Sequence, residues 1–357
     1  MPEGPNIPRI GITIGDCNGI GVEVIIRCLM DQRILATCIP VVYGSTKVAN
    51  AYRKIMDVQD FTFHVIDKPG DASPKKVNLI NVSNKDVQIQ PGQATEDAAE
   101  LAITAIDRAM DDALRGHIDG IVTAPINKST IARIRPDFKG HTGYLAEHSG
   151  NSPYLMLMAC DRLKVGLVTE HLALKEVSAA VTPERLMERL TLLDRCMVED
   201  MGIRKPKLAV LALNPHAGED GTLGKEEQEV MIPTINKACE KGMLVFGPYA
   251  ADGFFGAGQS KQFDAILAMY HDQGLIPFKS MNFEDGVNFT AGLPYVRTSP
   301  DHGTAYDIAG KNVAHEQSFR EALYMACDVV KRRRQYQQLT SNTLGITRRS
   351  SRRQEQD

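Results

Sequence analysis

Short apolar runs alternate with stretches of helical periodicity along most of the chain. A short apolar run bounded by glycine, proline or polar residues is typical of a buried strand. The intervening stretches carry apolar residues three and four positions apart, as expected of helices that cover a sheet. Strands are predicted at 9–14, 40–43, 61–66, 77–82, 120–124, 155–159, 165–169, 207–213 and 263–269.

Several predicted helices have recognisable first residues. Thr95 and Thr182 stand as N-caps, and a proline follows the second of them. Ser318 and Glu321 have the spacing of a capping box at the last helix. Helices are predicted at 22–30, 96–114, 183–201, 226–241 and 319–336. This alternation of strands and helices predicts βαβ units, and therefore an α/β fold with mainly parallel sheets covered on both faces.

Composition limits the class of protein. A chain of 357 residues with 43% hydrophobic residues predicts one large or two moderate domains. Its net charge of −3 gives no reason to expect nucleic acid or a membrane surface as a partner. Seven scattered cysteines, never spaced as Cys-x-x-Cys, indicate reduced thiols. With neither a signal peptide nor a membrane-spanning run, we expect a cytoplasmic protein whose basic tail, 339–357, is disordered.

A glycine-containing turn at 15–21 joins the first strand to the first helix. Such a turn exposes backbone N–H groups at a helix N-terminus, which suits an anion. The spacing differs from Gly-x-Gly-x-x-Gly, and no acidic residue ends a second strand at the required distance. A dinucleotide fingerprint and a plain tight turn both remain open at this position.

Three histidines follow three predicted strands. His171, His216 and His271 come after 165–169, 207–213 and 263–269. If these strands share one sheet, three imidazoles meet at one rim, as in catalytic metal sites with an open position. Zinc suits nitrogen ligands, and cobalt or manganese can substitute for it. The absence of carboxylates from this set argues against a magnesium cage. The alternative is that each histidine is an ordinary polar loop residue.

Lys279, Asn288 and Arg297 provide two cations and an amide among glycine and apolar residues, a setting that favours an anion-binding cleft over a solvated face. His141 and Thr142 lie in a loop and either bind a polar substrate or complete a turn. The carboxylates near these motifs belong to Asp16, Asp252 and Asp272, and any of them can be a general base or a contact to a cofactor hydroxyl.

Five motifs together resemble one enzyme family. The segment 302–310, His-Gly-Thr-Ala-Tyr-Asp-Ile-Ala-Gly, looks like the NAD-binding loop of isocitrate and isopropylmalate dehydrogenases. With the motifs at 124–128, 140–142, 214–219 and 270–274 in the same order, the chain resembles the 4-hydroxythreonine-4-phosphate dehydrogenases of pyridoxal phosphate biosynthesis over about residues 9–330.

The resemblance implies two α/β/α domains with a cleft between them, as in isocitrate and isopropylmalate dehydrogenases. The NAD-binding domain would comprise 1–122 and 290–338, and the metal, substrate and dimerisation domain would comprise 123–289. It implies a homodimer with a shared active site, in which His271 reaches the metal of the partner subunit. The expected cofactors are NAD, with NADP as the alternative, and one divalent metal ion per site.

The implied reaction is oxidation of 4-phosphooxy-L-threonine at C3, followed by decarboxylation to 3-amino-2-oxopropyl phosphate. The resemblance assigns the metal to His171, His216 and His271. It assigns the phosphorylated hydroxy-acid substrate to His141, Thr142, Lys279, Asn288 and Arg297, and NAD to Gly303, Thr304, Ala305, Asp307 and Gly310. Asp252 is the first candidate for the base.

Two positions depart from the family pattern. Glu170 stands where threonine is common before the first metal histidine, and Gly143 stands where an acidic residue usually follows the Gly-His-Thr motif. A carboxylate beside His171 can orient the imidazole, add a ligand or repel a phosphate. These changes leave open a 4-phosphorylated sugar acid, phospho-threonate or phospho-erythronate, as the alternative substrate.

Overall fold

Twelve strands form one hydrogen-bonded sheet in the computed structural model, which describes residues 7–138, 140–282 and 284–341. The strands are β1 (Arg9–Thr13), β2 (Ile39–Gly44), β3 (His64–Ile66), β4 (Asn78–Asn81), β5 (Gly120–Thr123), β6 (Leu155–Ala159), β7 (Lys164–Leu167), β8 (Lys207–Leu211), β9 (Leu244–Tyr249), β10 (Ala265–Ala268), β11 (Val287–Ala291) and β12 (Val296–Pro300). Their order is β3-β4-β2-β1-β5-β12-β11-β6-β7-β10-β8-β9.

The helices are α1 (Gly21–Leu29), α2 (Arg33–Thr37), α3 (Thr46–Ile55), α4 (Glu96–Leu114), α5 (Lys128–Ile134), α6 (His141–His148), α7 (Leu174–Ala180), α8 (Pro183–Glu199), α9 (Ile232–Glu240), α10 (Ala251–Gly256), α11 (His271–Met281) and α12 (Gln317–Thr340). A π-helical turn, Glu227–Met231, runs directly into α9. Thr95 and Thr182 cap α4 and α8 as predicted, because each hydroxyl accepts the N–H of the residue three positions later.

The direction of the sheet reverses in its middle. Strands β3 to β12 along the order form one parallel block, and β7, β10, β8 and β9 form another. Between them, β11 is antiparallel to both neighbours and β6 is antiparallel to both of its own. The carboxyl ends of the two parallel blocks therefore lie at opposite edges of the sheet.

Helices cover the sheet on both faces. On one side α12 packs on β12 and β5, with Phe319 and Leu323 fully buried, and α8 packs on the second block. On the other side α4 packs on β1 and β2 through its alanine-rich face. Burying one large apolar side chain contributes about 1.5–3 kcal/mol, so both layers stabilise the sheet.

The α/β class with a mainly parallel sheet is thus confirmed. The ladder is continuous from one parallel block to the other, and the division into two domains at 122–123 and 289–290 stays a prediction. The free cysteines agree with the predicted reduced thiols, six buried and Cys239 exposed. Among the described residues, no helix is long and apolar enough to span a membrane.

Several predicted boundaries were wrong. Only His64–Ile66 of the run 61–66 is a strand. Helix α12 begins at Gln317, and Ser318 does not cap it: its hydroxyl donates to the carbonyl of Gly286 and accepts the N–H of Asp301. The helix continues to Thr340, so disorder was predicted to begin too early. The remainder of the predicted tail, 342–357, lies outside the described residues.

Candidate active site

A cavity of about 310 Å³ lies over the reversal of the sheet, and we refer to it as the principal cavity because it contains the predicted substrate residues. It extends from the carboxyl ends of β5 and β12, across the side chains of Asn288 and Met156, to the loops after β7 and β10. All five predicted substrate residues line it: His141, Thr142, Lys279, Asn288 and Arg297. The residues that line this cavity therefore come from both parallel blocks.

Arg297 is the most unusual side chain in the cavity. It projects from the central strand β12 and is only 2% exposed. Its guanidinium donates to the hydroxyls of Thr123 (2.8 Å) and Thr290 (3.1 Å), and its Nε has no partner. Within the described residues no carboxylate pairs with it, and burial lowers its pKa to about 10. A buried cation without a counter-ion requires an anion for full compensation.

His141 faces the same cavity from the first turn of α6. Its Nε2 is buried and has no hydrogen-bond partner. Burial lowers the pKa of His141 well below its usual value, and the charges of Arg297 and Lys128 lower it further. The imidazole is therefore neutral at neutral pH and has a nitrogen available for a ligand.

Polar groups without partners continue along the cavity wall. The amide oxygen of Asn288 is buried and accepts no hydrogen bond. Lys279 forms an ion pair of 2.9 Å with Asp301, whose side chain is 12% exposed. Burial raises the pKa of Asp301, and Lys279 opposes that shift. Asp301 is not among the site residues predicted from the sequence, although it directly precedes the segment 302–310.

Two of the three predicted metal ligands are neighbours. His171 and His271 follow the adjacent parallel strands β7 and β10, and their ring centroids are 6.0 Å apart. The Nδ1 of His271 is 2.7 Å from a carboxylate oxygen of Asp272, which leaves its Nε2 for a ligand. Burial lowers the pKa of His171, followed by the effects of Lys128 and His271. Two imidazoles in this arrangement suit a divalent transition metal.

His216 lies in a separate cavity. It follows β8, the strand on the other side of β10, as the sequence predicted. It lines a space of about 610 Å³ together with Asp252 and Asp272, apart from the predicted substrate residues. In the part of the chain that the structure describes, no group of three histidine, cysteine or acidic residues is arranged to hold a metal. One chain thus brings together two of the three histidines.

The backbone that carries His216 is strained. His216, Ala217, Glu219 and Asp220 all have left-handed dihedrals, with φ between 43° and 54°. Such a conformation costs roughly 1–2 kcal/mol for each residue other than glycine. A run of this kind persists only where its surroundings enforce it, and it is a feature of functional sites.

Glu227 supplies much of that enforcement. It is 1% exposed, and its carboxylate accepts the backbone N–H groups of Leu213 (2.9 Å) and Asn214 (2.8 Å). The same carboxylate accepts the amide of Asn214 at 2.9 Å. The turn with His216 is therefore anchored to the π-helical turn before α9.

The predicted NAD loop packs against the glycine turn. The N–H of Ile20 donates to the carbonyl of Thr304 at 3.0 Å, and a Cβ on Gly19 would be 2.7 Å from that oxygen. Tyr306 donates to Asp16 at 2.6 Å. These contacts take up the start of α1, which favours a tight packing turn over a dinucleotide fingerprint at 15–21.

The predicted NAD residues differ in their exposure to solvent. Gly303 lines the principal cavity and Asp307 is exposed, whereas the N–H of Gly310 is bonded to the buried Glu23. Ala305 has a left-handed φ of 44°, which shapes the loop. Their role in cofactor binding stays a prediction.

Comparison with known proteins identifies the family. Residues 36–326 match the family described as pyridoxal phosphate biosynthetic protein PdxA. The chain belongs to that family. It is 48% identical over 337 residues to a 4-hydroxythreonine-4-phosphate dehydrogenase of Bacteroides thetaiotaomicron, covering 94% of this chain and 92% of the relative. The family resemblance seen in the sequence is thus confirmed, and the chain is an oxidoreductase.

A crystal structure and a second relative extend the family comparison. The 4-hydroxythreonine-4-phosphate dehydrogenase of Klebsiella pneumoniae superposes with a TM-score of 0.80 at 34% identity, covering 92% of this chain and 99% of that one. A protein of Oceanobacillus iheyensis, provisionally named a D-threonate 4-phosphate dehydrogenase, is 38% identical over 326 residues. It covers 90% of this chain and is itself covered to 98%. The family therefore includes relatives named for two acids that differ in the group at C2.

Proposed function

We propose that the protein oxidises 4-phosphooxy-L-threonine at C3 with NAD, giving a 2-amino-3-oxo acid that decarboxylates to 3-amino-2-oxopropyl phosphate. The observation that carries this proposal is Arg297, a buried guanidinium without a counter-ion in the cavity that His171 and His271 also line. A phosphorylated hydroxy acid supplies both the anion for the arginine and a hydroxyl group for the histidines.

Each substrate residue then has a role that its surroundings support. Arg297 holds the phosphate through its fork of N–H donors. The unpartnered Asn288 oxygen and His141 Nε2 bind polar groups of the substrate, and Thr142 lines the same wall. Lys279 remains charged beside Asp301 and provides a further cation for the substrate's anionic end.

A divalent ion, zinc by preference, with cobalt, manganese or magnesium as alternatives, is the proposed metal. His171, His216 and His271 would hold it, and it would lower the pKa of the substrate's C3 hydroxyl. Because His216 lies in another cavity of the same chain, we propose that a homodimer completes the set with a ligand from the partner subunit. The family resemblance gives that role to His271, whereas in this chain His216 is the histidine that lies apart from the other two. With either exchange, each site would contain one histidine of the partner subunit.

The base must remove the proton of the C3 hydroxyl. Asp252 is the candidate from the sequence, and it lines the cavity of His216. Its role therefore depends on the same exchange between subunits. Gly303, Thr304, Ala305, Asp307 and Gly310 are the proposed NAD contacts, with NADP as the alternative cofactor. We place the enzyme in the cytoplasm, in agreement with its free thiols.

A sugar acid is the second candidate substrate. The D-threonate 4-phosphate name of the Oceanobacillus iheyensis relative favours it. That relative matches 90% of this chain, compared with 94% for the Bacteroides thetaiotaomicron enzyme. The two substrates share the phosphate and the C3 hydroxyl and differ in the group at C2.

Kinetic and metal measurements test the proposal together. Purified protein supplied with zinc should reduce NAD in the presence of 4-phosphooxy-L-threonine, and His216→Ala should lose bound zinc by elemental analysis while remaining a folded dimer. Mixed dimers of His271→Ala and His216→Ala subunits should recover part of the activity if one ligand crosses the interface. No turnover on either phosphorylated acid would refute the dehydrogenase assignment, and full zinc retention by His216→Ala would refute the metal assignment.

A further inference from the structure

Helix α6 carries two of the predicted substrate residues. His141 is its first residue and Thr142 its second, and both line the principal cavity. The N-terminus of α6 has no side-chain cap, and the residue before it, Gly140, has a φ of 112°. The position of α6 over the cavity therefore depends on the contacts that the rest of the helix makes.

Tyr144 links α6 to the sheet-covering helix α4. Its side chain is buried, with 3% exposure, and its ring packs on Phe138, with 5.1 Å between the ring centroids. Its hydroxyl donates to the carboxylate of Asp107 on α4 at 2.5 Å. Burial, followed by the effect of Asp107, raises the pKa of Tyr144, so the hydroxyl keeps its proton and remains a donor. A hydrogen bond to a charged acceptor is stronger than one between neutral groups.

Asp107 also holds the end of α5. Its second carboxylate oxygen accepts the guanidinium of Arg135 at 3.1 Å, and Arg135 directly follows the last residue of α5. This ion pair is partly exposed, and solvent weakens such pairs. Helix α4 itself packs on β1 and β2. One carboxylate on the layer that covers the sheet therefore fixes both helices between β5 and β6, and the hydrogen bond from Tyr144 is the stronger of its two contacts.

The spacing along α6 relates this hydrogen bond to the cavity. Tyr144 follows His141 by three positions, and residues three apart are neighbours on one face of a helix. A hydroxyl held on α4 therefore fixes the rotation of α6 about its axis, and with it the direction of the His141 ring. The Nε2 of His141 has no partner of its own to hold it in place. A displacement of about 1 Å at a group that binds substrate can lower a rate about 100-fold.

We propose that Asp107 and Tyr144 are positioning residues for the substrate site: their hydrogen bond holds α6 so that His141 and Thr142 face the principal cavity. The proposal rests on the proposed function and deepens it. In the described structure neither Asp107 nor Tyr144 lines that cavity, so both act through α6. The predicted NAD loop is bonded to the glycine turn at 15–21 instead, so the link concerns the substrate more than NAD.

Steady-state kinetics with zinc, NAD and either 4-phosphooxy-L-threonine or 4-phospho-threonate test the link. Tyr144→Phe removes only the hydroxyl, and Asp107→Ala removes its acceptor. Each should raise the KM for the acid that the wild type oxidises by about 10-fold or more, and change the KM for NAD by less than about 2-fold. Asp107→Asn keeps an acceptor for the hydroxyl and should bring the KM for the acid back to within about 3-fold of wild type.

Asp111→Ala is the matched control. It removes the same group from α4 one helical turn later, where the carboxylate pairs with Arg115 of the same helix at 3.0 Å. Its kinetic constants should stay within about 2-fold of wild type, because an exposed pair of this kind contributes little. Thermal unfolding measures the stability of each variant separately. If Tyr144→Phe does not fold, the comparison of Asp107→Ala with Asp107→Asn takes its place.

A combined variant separates positioning from a general loss of stability. In a protein that carries His141→Ala and Thr142→Ala, the groups that the link positions are absent. Adding Tyr144→Phe to it should then change kcat/KM by less than about 2-fold, since substitutions that act through one interaction are not additive. A general effect on stability would lower kcat/KM by the same factor in both backgrounds.

The outcomes distinguish this proposal from the proposed function. The same factor in both backgrounds, or an unchanged substrate KM in Tyr144→Phe, would overturn the positioning role while the dehydrogenase assignment stands. A wild-type protein that oxidises neither acid would overturn the proposed function, and the positioning role with it.

Discussion

Replacing Arg297 by methionine separates binding from stability. The guanidinium is buried without a carboxylate, and the fall of its pKa to about 10 corresponds to about 3 kcal/mol against the charged form at neutral pH. Methionine removes that cost but leaves the hydroxyls of Thr123 and Thr290 without their donor, at roughly 1 kcal/mol each. The free energy of unfolding of the ligand-free protein should therefore stay equal or rise by about 1 kcal/mol.

The same replacement should severely impair catalysis. A guanidinium fork on a phosphate makes two charge-assisted hydrogen bonds of about 1.5–3 kcal/mol each. Losing them predicts a fall in kcat/KM for the phosphorylated substrate of at least about 100-fold, at 1.4 kcal/mol for each factor of ten. Arg297→Lys keeps the charge without the fork and should give an intermediate loss.

Urea unfolding and NADH formation measure the two effects, and Arg333→Met is the control. Arg333 is also mostly buried, but it pairs with the carboxylate of Asp200, which is 4% exposed. Removing Arg333 leaves the buried carboxylate of Asp200 without its partner. This should lower the free energy of unfolding by about 3–5 kcal/mol. If Arg297→Met destabilises the ligand-free protein as much as Arg333→Met does, or keeps kcat/KM within about tenfold, the reasoning about Arg297 is wrong.

Two further predictions concern the loop and the pH dependence. Gly19→Ala places a Cβ 2.7 Å from the Thr304 carbonyl oxygen and should raise the KM for NAD roughly tenfold. The control Gly70→Ala has open space around its Cβ and should leave that KM unchanged. A KM of Gly19→Ala within about twofold of wild type would contradict this prediction. Burial lowers the pKa of His141 in the folded state, so only the unfolded chain gains its proton as pH falls below about 6.5, and stability is lost. His141→Asn should lose about 2 kcal/mol less than wild type between pH 7 and pH 5 in urea unfolding, and equal losses would exclude this cause.

Local pattern was sufficient for much of the fold and part of the site. The alternation of apolar runs and amphipathic helices determined the α/β class, because burial of one face imposes its period on the sequence. The positions of His171, His216 and His271 after three strands predicted a common rim, and β7, β10 and β8 are indeed neighbours in that sheet. The motifs around these residues also identified the family.

The central strand β12 shows where pattern fails. It carries Arg297, Thr298 and Ser299 in buried positions, so no apolar run marks it. Arg297 on this strand donates hydrogen bonds to residues that include Thr123, 174 positions away in the chain. Periodicity indicates which residues are buried, but it carries no information on the partners that make burial of polar groups tolerable.

Tertiary structure alone decided how the site is assembled. The antiparallel strands β11 and β6 reverse the direction of the sheet. The cavity is therefore lined by residues that follow the carboxyl ends of strands from both parallel blocks, which run in opposite directions. The left-handed turn at His216 and the burial of Glu170 and Arg189 atoms without hydrogen-bond partners also depend on long-range packing. Sequence determined which chemical groups are available, and pairing of strands determined which of them meet, because a contact between distant residues leaves no local periodicity.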